Sequence, residues 1–209
     1  MTAGASKTAE PNTSARVAPG RVAFQGEHGA FSEEAAIELF GPDVKLVPCP
    51  TFDALFEYGD ADLVDYLLVP VENSLIGSIK TAVDLVSARS FAAVKEVRLR
   101  IHQYLIGCSG ARFEGIETVE SHPAALDQCR RFFAEHPRVK RIEAEDTAGS
   151  VRRIVEIGDH KRAAIAGRRA AEIYGGSILK ENLEDEAENY TRFVLLRIAS
   201  NGRAEVETS

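Results

Sequence analysis

Asn189-Tyr190-Thr191-Arg192-Phe193-Val194-Leu195-Leu196-Arg197-Ile198 is the stretch on which the fold turns. From Phe193 onward it is a short, almost wholly apolar run, which reads as a buried strand. Its first five residues hold an amide, a hydroxyl, a guanidinium and an aromatic ring. Polar groups at the mouth of a buried strand are where α/β proteins gather ligand contacts. An acidic patch precedes it: Glu181, Glu184, Asp185, Glu186 and Glu188. Two readings therefore stand: a ligand site containing Arg192, or an edge strand whose Arg192 pairs with one of those acids.

Outward from this strand the chain alternates strands and helices in two runs. In the first run, strands are expected at 22–24, 45–47 and 66–71. Between and after them lie helices whose apolar faces carry Phe31, Ala35, Leu39 and Phe40, then Phe52, Leu55 and Phe56, then Ala82, Val83 and Val86. Gly41-Pro42 should stop the first helix and Thr51 should cap the second. Residues 97–102 alternate apolar and polar, as a half-exposed strand passing between lobes would. In the second run, strands are expected at 118–120, 139–142 and 163–166. One helix opens at Pro123 and shows Leu126, Cys129, Phe132 and Phe133; another follows Asp146-Thr147. A third ends at Gly175-Gly176. The alternation predicts α/β lobes with parallel sheets and helices on their faces. The opening strand then returns the chain to its first lobe. Lobe one spans about 21–100 plus 184–200, and lobe two about 101–183, with a cleft at the two crossovers. Residues 1–20 read as a flexible tail without an apolar signal segment, and 201–209 as a polar tail.

The totals exclude several classes. A net charge of −7 argues against nucleic acid or a membrane surface as partner. No run approaches the roughly 20 apolar residues of a membrane span. The three cysteines, Cys49, Cys108 and Cys129, form no CxxC and suit a reducing, cytoplasmic setting. The five histidines show neither HxxxH nor HExxH spacing, so no metal site is expected.

Five polar clusters fall where expected strands end: 26–32, 72–78, 121–129, 146–148 and 189–193. Ser121 or His122 would cap the helix beginning at Pro123, and Asp146 or Thr147 the next one. Each helix start offers free backbone N–H groups to an anion. Two such starts facing an Arg and an amide from the other lobe suit a small substrate with more than one carboxylate. Glu72 follows an apolar strand, where burial would raise its pKa and make it a proton donor; a turn carboxylate is the plainer role. His28 and His122 are either proton shuttles or loop and cap residues. Cys129 belongs to a core-facing helix stripe, and Arg168-Arg169 reads as a solvated surface pair.

In this order the clusters resemble the prephenate dehydratase family. The matching pieces are Gly26-x-x-Gly29-Ala30-Phe31-Ser32, Val69-Pro70-Val71-Glu72-Asn73-Ser74-x-x-Gly77, and Ser121-His122-Pro123 with Gln128-Cys129. Asp146-Thr147-Ala148, Ala163-Ala164-Ile165-Ala166 with Tyr174-Gly175, and Asn189-x-Thr191-Arg192-Phe193 complete the set. The resemblance implies a two-lobed fold like a type II periplasmic binding protein, with the active site in the interlobe cleft. It implies a carbon–oxygen lyase of phenylalanine biosynthesis that takes carbon dioxide and hydroxide from prephenate to leave phenylpyruvate. On this basis Thr191 and Glu72 are the expected catalytic residues. Asn73, Ser74, Gly77, Ser121, His122, Gln128, Thr147, Ala148, Asn189, Arg192 and Phe193 are the expected substrate-binding ones. Family habit implies a homo-oligomer. Gly167 and Gly176 stand where the family pattern has Ser and Leu. Family members commonly continue into an ACT domain that binds phenylalanine; here a polar tail follows, so control by that route is not expected. Arogenate dehydratase, prephenate decarboxylase and a non-catalytic small-anion binding protein are the rival readings.

Overall fold

In the computed structural model, which describes residues 20–197, the last strand among the described residues takes an interior place in the first of two sheets. Apart from Gly20, the expected N-terminal tail lies outside the described residues, as do Ile198 and the polar tail. Lobe one begins with β1 (Arg21–Gln25), α1 (Phe31–Phe40), β2 (Lys45–Cys49), α2 (Phe52–Asp60) and β3 (Tyr66–Asn73). The two-residue strand β4 (Gly77–Ser78) folds back on β3, and α3 (Lys80–Ser87) leads into β5 (Ala92–Arg100). Lobe two holds β6 (Tyr104–Gly107), β7 (Thr118–Ser121), α4 (Pro123–Asp127), α5 (Arg130–Glu135), β8 (Lys140–Glu143), α6 (Thr147–Ile157), β9 (Arg162–Ala166), α7 (Arg168–Tyr174) and β10 (Ser177–Lys180). β11 (Tyr190–Arg197) then re-enters lobe one. The sheet orders are β2-β1-β3-β11-β5 and β10-β6-β9-β7-β8.

The elements follow from their residues. β3 and β11 sit inside their sheet with helices on both sides, which is why they are near-continuously apolar. Phe193 and Leu195 pack toward α1 with Leu68 and Leu99, whereas Val194 and Leu196 pack toward α2 and α3 with Leu55 and Val69. Thr51 Oγ1 accepts from the Ala54 N–H at 3.1 Å and caps α2, and Gly41 ends α1 at φ 89°.

Three expectations are corrected. The sheets are mixed rather than parallel: β11 runs antiparallel to both β3 and β5, and β6 antiparallel to β9 and β10. The cause is the double crossover. β5 leaves for lobe two and β11 comes back from it beside β5, so their directions must oppose. The two connecting segments run side by side, with Ile101 N–H donating to Asn189 O and Leu183 N–H to Gln103 O, each at 2.8–2.9 Å. β11 is therefore not an edge strand. Second, the helix expected from Pro123 through Phe133 is two helices, broken at Gln128-Cys129. Asp185 makes the break: its carboxylate accepts from the Arg130 and Arg131 N–H groups at 2.8 and 2.9 Å, and its own N–H donates to Gln128 O at 2.7 Å. Third, Arg169 is partly buried and paired, not a freely solvated surface group.

Arg169 belongs to the seam between the lobes. It donates to the buried Glu33 carboxylate at 3.0 Å, and Glu33 also accepts from the Gly29 N–H. Arg152 of α6 makes a two-pronged pair with Glu27 at 2.7 and 2.8 Å. Phe24 and Ala30 of lobe one pack among Ile106, Ala148, Val151 and Ala170 of lobe two. At Gly29, φ +88°, a Cβ would stand 2.7 Å from the Ala170 Cα, so only glycine lets the β1–α1 turn lie on α7. One flank of the cleft is thus closed by shared core, and the other is spanned by the crossovers.

Candidate active site

β1 and β3 both end at the interlobe cleft, and β11 starts there. The cleft holds about 350 Å³. Its floor and walls are apolar, from Ala30, Phe31, Phe52, Pro70, Ile101 and Phe193. Polar groups enter from both lobes: Asn73 and Thr191 from one, His122, Gln128, Asp146 and Thr147 from the other.

A β-bulge decides which polar residues those are. Phe193 pairs with Pro70, but Thr191 pairs with Asn73, so two steps along β11 match three along β3. With an unbroken ladder, Glu72 would lie beside Thr191. The extra residue reverses the parity, so that Asn73 shares the cleft face with Thr191, Phe193 and Pro70. Glu72 is sent to the other face beside Arg192.

Buried amides organise the polar side of the cleft. Asn73 Oδ1 accepts from the Leu75 and Ile76 backbone N–H groups at 3.0 and 3.3 Å, an Asx turn that shapes the β3–β4 hairpin. Its Nδ2 donates to Asn189 Oδ1 at 2.8 Å and to Thr191 Oγ1 at 3.0 Å. Asn189 Nδ2 donates to Gln128 Oε1 at 2.9 Å, across the lobe boundary. Because Thr191 Oγ1 is already an acceptor, its own O–H is left to donate. Asn73, Asn189 and Thr191 are 4%, 0% and 8% exposed, so this is a low-dielectric array in which an aimed donor counts heavily.

Lobe two contributes helix starts. His122 caps α4, its Nδ1 accepting from the Ala124 N–H at 3.2 Å. Asp146 caps α6, with Oδ1 accepting from the Gly149 N–H at 2.5 Å. The Thr147 and Ala148 N–H groups have no acceptor within the helix by position. Among the described residues, none of those lining the cleft is Lys or Arg, and Glu145 adds a carboxylate at its rim. Among the described residues the cleft thus offers neutral donors and a helix start, with no guanidinium in its lining.

The other expected site residues stand elsewhere. Glu72 is half exposed and paired, not buried; its carboxylate takes Arg192 Nε at 3.1 Å. Arg192 Nη1 reaches Glu96 at the same distance. Arg192 thus pairs with acids of neighbouring strands, neither with the 181–188 patch nor with the cleft. Ser121 is fully buried and spends its hydroxyl on Ile165 O at 2.6 Å. Ser74 Oγ donates to Glu188 O at 2.8 Å and accepts from the Tyr190 N–H at 2.9 Å, tying the hairpin to the start of β11. Gly77, φ +77°, closes that hairpin, and Ala148 is buried within α6. His28 lies 3.5 Å from Glu33 on the interlobe seam. Phe193, by contrast, lines the cleft while also packed in the lobe-one core. The cysteines are buried thiols; burial pushes Cys49 up to about 11 and Cys129 higher still, so neither is a nucleophile at neutral pH.

Gln103 was not singled out from sequence. It lines the cleft at 2% exposure and donates through Nε2 to Gln128 Oε1 at 3.2 Å. The available signal was a lone amide, between His102 and Tyr104, in the segment that joins the lobes.

Comparison with known proteins gives a consistent picture. The family described as prephenate dehydratase matches residues 22–201. Arogenate dehydratase/prephenate dehydratase 1, chloroplastic, of Arabidopsis thaliana is 42% identical over 84% of this chain and 44% of its own length. The chain thus spans less than half of that relative. The crystal structure of prephenate dehydratase in complex with L-Phe from Arthrobacter aurescens superposes with TM-score 0.78 at 27% identity, covering 85% of this chain and 60% of that one. A structure described as GqqA, a quorum-quenching acylase, gives TM-score 0.74 at 29% identity over 85% and 63%.

Proposed function

The chain belongs to the prephenate dehydratase family, and from that membership and the cleft we propose that it is a carbon–oxygen lyase converting prephenate to phenylpyruvate in phenylalanine biosynthesis. The observation that carries this reading is the Thr191 hydroxyl, its oxygen engaged by Asn73 Nδ2 and its proton free toward an apolar cleft.

In the proposed reaction the ring carboxylate leaves as carbon dioxide. The electron pair of its C–C bond passes into the ring, and the C–O bond at the opposite carbon breaks. The departing hydroxide takes up a proton as water, and the ring becomes aromatic, which supplies the driving force. The protein must hold a dianion in one orientation and stabilise the leaving oxygen. Thr191 donates a hydrogen bond to that oxygen; a hydroxyl is too weak an acid to surrender its proton outright. Gln128 and the start of α6 hold carboxylates, and Phe193 and Phe31 wall the ring. No step in this scheme calls for a metal or organic cofactor. Glu72, exposed and paired with Arg192, has no part in it.

A second reading has an observation of its own. The rim carboxylate of Glu145 complements an ammonium, which arogenate carries where prephenate has a keto group. Incubating the purified chain with each compound, and following phenylpyruvate and phenylalanine, tests both readings; absence of both products overturns the enzyme assignment. If arogenate is the substrate, Glu145→Gln lowers kcat/KM for arogenate about tenfold and spares prephenate. Equal loss on both would remove the second reading. A cytoplasmic setting and a homo-oligomer belong to the same proposal, the first supported by the buried free thiols; cell fractionation and sedimentation would check them. Among the described residues no helix is long and apolar enough to cross a membrane.

A further inference from the structure

The orientation of each amide in the cleft can be deduced from one anchor. Asn73 is held by two backbone N–H groups, so the atom facing them must be oxygen and its other terminal atom nitrogen. That nitrogen donates to Asn189, so the facing atom of Asn189 is oxygen and its far atom nitrogen. The Asn189 nitrogen in turn requires an oxygen on Gln128. Two consequences follow. Gln128 presents its NH₂ edge away from Asn189, and the Gln103 atom 3.2 Å from Gln128 Oε1 must be a nitrogen. Gln103 Oε1 is then left, among the described residues, buried with no hydrogen-bond partner. The other orientation of Gln103 would set two acceptor oxygens face to face, so the relay keeps the costlier arrangement at Gln103 to keep the right one at Gln128.

We propose that Gln103 is a positioning residue: with Asn189 it donates to Gln128 Oε1, locking the Gln128 amide so that its N–H groups face the substrate. This rests on the dehydratase reading given above. The cleft contains no lysine or arginine among its described lining residues, so an amide turned the wrong way would offer a carbonyl to a dianion. Two donors onto one oxygen make that flip unfavourable, and one of them comes from each side of the lobe boundary. The Gln103 backbone is itself fixed: its N–H donates to Glu184 Oε2 at 2.9 Å, and its carbonyl accepts from Leu183.

The test uses two variants of similar shape. Gln103→Glu replaces the donor by an acceptor, and Gln103→Met removes donor and acceptor alike. At pH 8, Gln103→Glu should lower kcat/KM by about 100-fold, the effect of losing one aimed donor, and Gln103→Met by about tenfold or less. On acidification the introduced carboxyl gains a proton, donates again, and restores activity toward wild type. Burial and the adjacent Glu184 carboxylate, itself paired with His102 Nδ1, place this recovery below about pH 6. The wild-type profile, measured alongside after subtraction of the enzyme-free rate, is the control for the other ionisable groups lining the cleft, His122, Glu145 and Asp146. Gln103→Met should show no recovery. Side-chain amide NMR gives a readout independent of turnover: the Gln128 NH₂ signals of Gln103→Glu should differ from wild type at pH 8 and coincide with it in acid. Unmoved Gln128 signals, or a glutamate variant no worse than the methionine one, would overturn the proposal. A wild-type chain inactive on both prephenate and arogenate would sink the dehydratase reading alone, since the Gln128 signals still decide the relay.

Discussion

Thr191 and Arg192 are adjacent in the chain and lie on opposite faces of the same ladder. On the cleft face, Thr191 and Asn73 are buried, neutral and joined to a chain of amides that crosses between lobes. On the other face, Arg192 lies between Glu72 and Glu96, all three partly in water. The second face has the more conspicuous residues and the formal charges, yet solvent screens them and side-chain entropy offsets what attraction remains. The first has weaker groups in a setting where each hydrogen bond is undiluted. What an interaction contributes here depends on burial more than on charge.

Perturbing groups of graded burial sharpens that contrast. Thr191→Ala should have the largest effect: kcat falls by about 10²–10³, or about 3–4 kcal/mol, while the urea midpoint holds, because Asn73 keeps its bond to Asn189. Unchanged turnover would take Thr191 out of the mechanism. Arg169→Met should come next. It strands the Glu33 carboxylate, 4% exposed, on the lobe seam, for a loss of about 3 kcal/mol and a melting point lower by roughly 6–12 °C. A drop under about 2 °C would mean that water reaches Glu33.

The Glu27–Arg152 pair, with side chains 35% and 38% exposed, should matter less, about 1 kcal/mol at most after screening. The Arg152 guanidinium, by hydrogen bonding to it, holds the Glu27 carboxyl below the usual carboxylate range. A depressed folded value means the pair stabilises above the ordinary carboxylate pKa, about 4.3, and the contribution is lost as pH falls through the lower folded value. The stability gap between wild type and Glu27→Gln should therefore narrow as pH falls below about 4.3; a gap that stays constant from pH 7 down through the acid range would refute the assignment. Arg192→Gln is expected to do least, with stability within about 1 kcal/mol and kcat/KM within about twofold. A large loss of turnover there would show that the outer face communicates with the cleft.

Much of this was legible in the chain. The apolar run after Thr191 and the stops at Gly41 and Gly175 sit where elements begin and end, because periodicity, capping and glycine conformations are local properties, while the alternation at 97–102 marked only the second half of β5. The break at Gln128-Cys129 was not legible, since the carboxylate that makes it belongs to Asp185, far along the chain. Nor was the direction of β11, which only the double crossover sets.

By itself, then, the sequence located most of the strands and helices and the polar clusters beside them, though not β4, β6 or β10. Tertiary structure decided which of those clusters face the cleft. Alternation with period two assigns a side chain to a face only once register is known. The single extra residue between Pro70 and Asn73, relative to Phe193 and Thr191, moves Glu72 out and Asn73 in. That bulge arises from pairing between strands more than a hundred residues apart in sequence. The same is true of the amide relay, whose polarity starts at a hairpin turn and ends at Gln103, and so could be read only once both lobes were in place.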